Sequence, residues 1–141
     1  MSTQTFEQWF ATKKFKHFSA EEFTSYFRRT RNGVRNSPPS ATLWEKLVPT
    51  LRIVDELRRH FGKPIVILSS YRSPAYNKAI SGASASIHMQ FNALDIAVAG
   101  VSPSEVFKVL RAWRTAKKFV GGLGLYETFV HVDTRGYNAT W

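Results

Sequence analysis

Leu43, Leu47, Leu51, Val54, Leu57 and Phe61 recur at three- and four-residue steps, and Arg52, Asp55, Glu56, Arg58 and Arg59 fill most of the gaps. At helical periodicity this spacing makes one apolar stripe, which the rest of the chain has to cover. Gly62 and Pro64 end the helix, and Pro49 inside the pattern means that the helix proper begins near it or kinks there. Pro64 to Leu68 is a short β-branched run that reads as a strand, and Ala93 to Val98 is a second. Gly121 to Tyr126 with Phe129 to Asp133 has the look of a glycine-edged hairpin. Ser102-Pro103-Ser104-Glu105 supplies a cap, a proline and an acid in the right order to open another helix. A long helix beside short strands joined by tight turns predicts an α+β fold. In it a small antiparallel sheet, holding Ala93–Val98 and Phe129–Asp133, packs with helices and presents one cleft beside Leu43–Phe61.

A chain of 141 residues buries one core, so residues 1–141 are expected to form a single domain. Within it, residues 1–40 are a packing segment and loop, and residues 41–141 the core. Phe6, Trp9, Phe10, Phe15 and Phe18 make the N-terminal stretch too aromatic for a disordered tail. Ser19 to Glu22 has the spacing of a capping box, Arg28 to Arg35 is a basic stretch, and Asn36-Ser37-Pro38-Pro39-Ser40 is a loop. The formal charge of +10 calls for an anionic partner: nucleic acid, an acidic membrane surface or a cell wall. No nucleic-acid motif accompanies the charge, so a specific nucleic acid is not expected. The first residues lack the pattern of a secretory signal and no apolar run is long enough to span a membrane, which predicts a soluble, monomeric chain without export signal or membrane insertion.

Without cysteine, thiolate metal sites and cysteine nucleophiles are excluded, and any metal has to be held by nitrogen and oxygen. Of the four histidines, His17 and His60 lie in or beside basic helical stretches, whereas His88 and His131 stand between loops and strands. Either of the latter alone is ordinarily a hydrogen-bonded or surface histidine. Asp95 is harder to place as a bystander: a carboxylate inside an apolar strand is costly unless it is paired with an arginine, hydrogen-bonded or bound to metal.

Three segments, in order, closely resemble the motifs of the M15 family of zinc peptidases. They are Ser70-Tyr71-Arg72-Ser73-Pro74-Ala75-Tyr76-Asn77, then Ser86-Ile87-His88 with Ala93-Leu94-Asp95, then Phe129-Val130-His131-Val132-Asp133-Thr134-Arg135-Gly136. The resemblance runs from about His17 to Trp141, and members of that family are D-alanyl-D-alanine carboxypeptidases, murein endopeptidases and phage endolysins. It implies that His88, Asp95 and His131 hold zinc, that Arg72 is an active-site arginine, and that Tyr71, Asn77 and Ser86 contact substrate. Such a zinc ion lowers the pKa of its water toward about 7 and polarises a peptide carbonyl. Arg72 then stabilises the developing oxyanion or grips a substrate carboxylate.

Phe91 and Phe129 depart from the family's pattern. Phe91 stands where a glycine is usual between the first histidine and the aspartate, which points to a changed loop path or pocket wall. Phe129 and Thr128 stand where some members carry a histidine or an acid that aids proton transfer. The general base is left between Asp133, which shares a strand face with His131, and Glu127, which reaches the metal if the hairpin turn folds back. The function implied is hydrolysis of peptidoglycan peptides, by an enzyme acting on the wall after lysis or after non-classical export. The alternatives are a relative that binds wall peptides without cutting them and, behind it, a basic nucleic-acid-binding protein.

Overall fold

The structure is a computed structural model that describes residues 4–83 and 86–141. Met1 to Thr3, and Ser84 and Ala85 of the small-residue loop, lie outside the described residues. In chain order the elements are α1 (Phe6–Lys13), α2 (Glu21–Phe27), a hairpin of β1 (Thr30–Arg31) and β2 (Val34–Arg35), and a 3-10 turn (Ala41–Lys46) that runs into α3 (Leu47–Phe61). Then come β3 (Ile65–Ser69), α4 (Pro74–Ala79), a second 3-10 turn (Ile87–Gln90), β4 (Ala93–Val98), α5 (Pro103–Thr115), β5 (Gly122–Leu125), β6 (Val130–Asp133) and β7 (Ala139–Thr140). The fold is α+β. The main sheet has the order β3-β4-β6-β5-β7, antiparallel throughout except that the edge strand β7 runs parallel to β5. No helix among the described residues is long and apolar enough to cross a membrane.

Local chemistry accounts for the helix boundaries. Pro49 is the third residue of α3, in the first turn, where its missing amide has no helical acceptor to lose, so α3 begins just before it and the chain upstream tightens into the 3-10 turn. Gly62 closes α3 in the left-handed conformation at φ 64°. Ser102 and Ser73 cap α5 and α4 through their side chains, each followed by proline at the first helical position. The capping box expected at Ser19 is only half formed. Glu22 Oε2 accepts from Ser19 N at 2.7 Å, but Ala20 is already helical and no side chain caps α2. A complete box sits instead at Thr5 and Gln8, ahead of α1.

The core lies between α3, the main sheet and the N-terminal helices. Leu47, Leu51, Val54 and Leu57 on α3 are fully buried, as are Leu94 and Ile96 on β4 and Val130 and Val132 on β6. Phe6, Trp9 and Phe10 carry α1 into the same core, packed with Phe23 and Phe27 of α2.

Phe91 corrects the expectation of a changed loop path. It adopts the left-handed conformation at φ 61° and ψ 32°, the region that glycine favours, and so preserves the turn after His88. Its ring is fully buried, edge-on to Phe27 at 5.8 Å and to Tyr71 at 6.0 Å, with Phe6 at 6.0 Å, so it forms no part of the cleft wall. Left-handed geometry costs a residue with a side chain about 1–2 kcal/mol. Burying a phenyl ring contributes about 2–3 kcal/mol, with more from edge-to-face contacts, so burial wins. Phe91→Gly is therefore expected to destabilise the protein by about 2 kcal/mol although it relieves the strain. Chemical denaturation measures this, and a variant as stable as the parent would show that strain dominates.

Candidate metal centre

Asp95 and His131 are register partners across β4 and β6, which stands their side chains next to each other on one face of the sheet. His88 arrives from the 3-10 turn before β4, where Ser86 Oγ accepts from the His88 amide at 3.2 Å. The turn is tied to the segment after β3, since Arg72 N donates to the His88 carbonyl at 3.2 Å. The result is a buried cluster in which His88 Nε2 lies 3.2 Å from Asp95 Oδ2 and His131 Nδ1 lies 3.0 Å from Asp95 Oδ1. One donor atom from each of the three residues falls within 4.8 Å of the others.

The outward nitrogen of each imidazole is committed elsewhere, which aims the inward one. His88 Nδ1 donates to the Ser70 carbonyl at 2.7 Å, since a carbonyl only accepts. A shift of register between Ile67 and Ser69, at the end of β3, precedes that carbonyl. His131 Nε2 donates to Asp133 Oδ2 at 2.7 Å. Asp133 is fully buried and held in turn by the Gly122 amide at 2.8 Å, the Arg135 amide at 3.0 Å and Arg135 Nη2 at 2.8 Å. Gly122 is required for this approach, because a Cβ there would lie 2.5 Å from Asp133 Oδ2. Orientation of metal-binding imidazoles by a carbonyl or carboxylate behind them is a general property of such sites.

Electrostatics follow the same division. Burial keeps His88 neutral by pushing its pKa down. Burial opposes charge on His131 as well, but its hydrogen bonds to Asp133 and Asp95 outweigh that and raise its pKa. Burial would raise Asp95, yet the hydrogen bond from His131 and the positive charge on that imidazole hold it well below the usual carboxylate range. Asp133 is held down in the same way, burial being overcome by His131, Arg135 and the Gly122 amide. Both carboxylates stay ionised at neutral pH.

Arg72, at the flank of the cluster, sends Nη2 to Asp95 Oδ2 and Nη1 to Asn77 Oδ1, both at 3.5 Å, while its buried Nε finds no partner among the described residues. Asn77 is buried and also donates to the Ala83 carbonyl at 2.8 Å, bracing Arg72 and the loop beside it. Ser86 lines the cleft, which encloses about 520 Å³. Tyr71 does not: its ring lies in the core between Phe27 and Phe91. Glu127 is exposed on the β5–β6 turn and is not part of the cleft lining, and Asp133 is sealed behind His131. Asp95 is the one carboxylate among the described residues that lines the cleft. His17 pairs with Asp55 at 3.1 Å and His60 packs on Trp113, both away from the cluster. Sequence reasoning missed Arg135, whose signal was its two-residue offset from Asp133, and Tyr126 and Trp141, which reach the cleft through long-range packing.

Two imidazole nitrogens and one carboxylate oxygen, open to a cleft, could together hold a metal ion, and zinc accepts such a set with a position left over. A family model described as Peptidase M15 matches residues 16–133, and the chain belongs to the M15 peptidase family. No curated protein and no solved structure matches the chain.

Proposed function

We propose that this protein is a zinc-dependent peptidase that hydrolyses peptide bonds in the stem peptides or cross-links of bacterial peptidoglycan. The observation that carries the reading is the convergence of His88 Nε2, Asp95 and His131 Nδ1, each imidazole aimed by a partner behind it. These three residues would hold a zinc ion, whose Lewis acidity would polarise a carbonyl and lower the pKa of water toward neutrality. The chain's own residues do the rest. Arg72 lines the cleft with its terminal guanidinium nitrogens held only at 3.5 Å by Asp95 and Asn77, suited to an oxyanion or a substrate carboxylate, and Asp133 with Arg135 keeps His131 oriented. The formal charge of +10 favours accumulation on an anionic wall.

The deciding experiment is metal content of the purified protein together with release of product from purified peptidoglycan, with and without a chelator. Stoichiometric zinc and chelator-sensitive release are expected. Zinc retention and wall binding without any product would instead establish a wall-peptide-binding module, a reading favoured by Asp95 being the lone carboxylate among the described residues lining the cleft.

Metal affinity has a direction with pH. His131 has to give up the proton it shares with Asp95 before Nδ1 can bind metal, and its pKa is raised, so zinc affinity should climb with pH through values above the ordinary histidine range and then level. Asp133→Asn removes the charge that orients His131 and should weaken zinc about ten- to a hundredfold while leaving the fold intact. Titration against a competing chelator reads both effects; equal affinity in the Asn variant would remove Asp133 from the centre.

A further inference from the structure

One wall of the cleft is left without a role by the metal cluster and Arg72. In the order of the sheet, the ligand strands β4 and β6 are central, Arg72 follows β3 on one side, and Tyr126 follows β5 on the other. Tyr126 stacks face to face on Phe129 at 4.5 Å and 9°, and its hydroxyl accepts a hydrogen bond from Trp141 Nε1 at 2.7 Å. All three line the cleft with His88, Asp95 and Arg72.

Trp141 is itself fixed. Its amide donates to the Leu123 carbonyl at 3.0 Å and its carbonyl accepts from the Leu125 amide at 2.9 Å, which lays it along β5. The indole lies 4.9 Å from the His131 ring, with the Arg135 guanidinium 5.0 Å away. Gly124 makes room, because a Cβ there would lie 2.6 Å from Trp141 Nε1. An indole N–H only donates, so the Tyr126 oxygen is the acceptor in that bond and its own proton is directed elsewhere. The hydroxyl is therefore a placed donor, anchored through a side chain packed on His131, on the flank opposite Arg72.

We infer that Tyr126 is a catalytic residue whose hydroxyl donates a hydrogen bond to the oxygen of the reacting peptide carbonyl, so that this oxygen is engaged from the β5 side while Arg72 serves the β3 side. The inference rests on the peptidase reading above. A neutral donor placed where negative charge develops strengthens its hydrogen bond as the carbonyl becomes tetrahedral, and so acts on turnover more than on substrate binding.

The test uses the zinc-loaded full chain, purified peptidoglycan and a phosphinic dipeptide that mimics the tetrahedral state. Tyr126→Phe is expected to keep zinc and the thermal midpoint, leave KM within about twofold, and lower kcat at least about tenfold, with the same loss in phosphinic dipeptide affinity. Trp141→Phe, which removes the N–H that orients the hydroxyl together with the rest of the five-membered ring and keeps a smaller aromatic ring there, should lower kcat in the same direction. Wild-type kcat and wild-type affinity for the phosphinic dipeptide in both variants would overturn the role of Tyr126 while leaving the peptidase reading intact. A wild-type protein that neither cleaves nor binds the dipeptide would overturn the peptidase reading itself, and the inference with it.

Discussion

Asp95→Asn is expected to yield a folded chain that holds no zinc and cleaves nothing. Asparagine keeps the shape of the side chain but offers a neutral amide, and it removes the one negative ligand of the three. Losing a partner behind a ligand already costs about ten- to a hundredfold in metal affinity, so losing the ligand itself should exceed that. The substitution also shows in the stability of the metal-free protein. Asp95 is depressed on folding, so its contribution is present above the unfolded carboxylate pKa and is lost as pH falls through the folded value. His131 is raised, so its contribution is present below the unfolded histidine pKa and is lost as pH rises through the folded value. The difference between wild type and variant should therefore be largest between about pH 4 and about pH 6.5 and shrink on either side. Stoichiometric zinc in the Asn variant would mean that the metal sits elsewhere.

Arg72→Ala should show the opposite pattern, zinc retained and turnover reduced about a hundredfold or more, as when a preorganised donor to a developing charge is removed. Its two contacts, at 3.5 Å to Asp95 and to Asn77, are at the long edge of hydrogen bonding, so little of the guanidinium's donor capacity is spent on holding the site together. Arg72→Lys should restore little, because an ammonium keeps the charge and loses the planar two-pronged geometry. If zinc is lost with the arginine, Arg72 is a brace for Asp95 and the oxyanion has another donor. Steady-state kinetics paired with metal analysis separates the two outcomes.

Much of the frame was legible because it depends on local pattern. The stripe from Leu43 to Phe61 required a helix, which the structure forms over Leu47–Phe61 with the first residues tightened into a 3-10 turn, and Ala93–Val98 has the bounds expected for its strand. Asp95 attracted notice because an unpaired carboxylate in such a run is costly, and the structure surrounds it with two histidines and an arginine. Tyr71 and Arg72 show where the pattern stopped informing. In an extended segment neighbours point to opposite sides, so Arg72 takes the cleft and Tyr71 the core, and the motif alone does not say which. Phe91 was unreadable for a different reason: what fixes its backbone is burial against Phe6 and Phe27, residues far away in sequence. Glu127 failed to reach the cleft because it projects from the exposed end of a hairpin, a direction set by turn geometry rather than by composition.

The packing of Phe91 on Phe6 has a thermodynamic consequence for the N-terminal helix. The turn that carries His88 ends at Phe91, and the ring of Phe91 rests on α1, so undocking α1 strips the turn of its support. Amides of α1 and of residues 87–91 should then exchange with solvent as one cooperative unit rather than as a fraying end and an independent loop. By linkage, any ion that binds the ordered turn more tightly than the loosened one slows exchange in α1 as well, although α1 contributes no ligand.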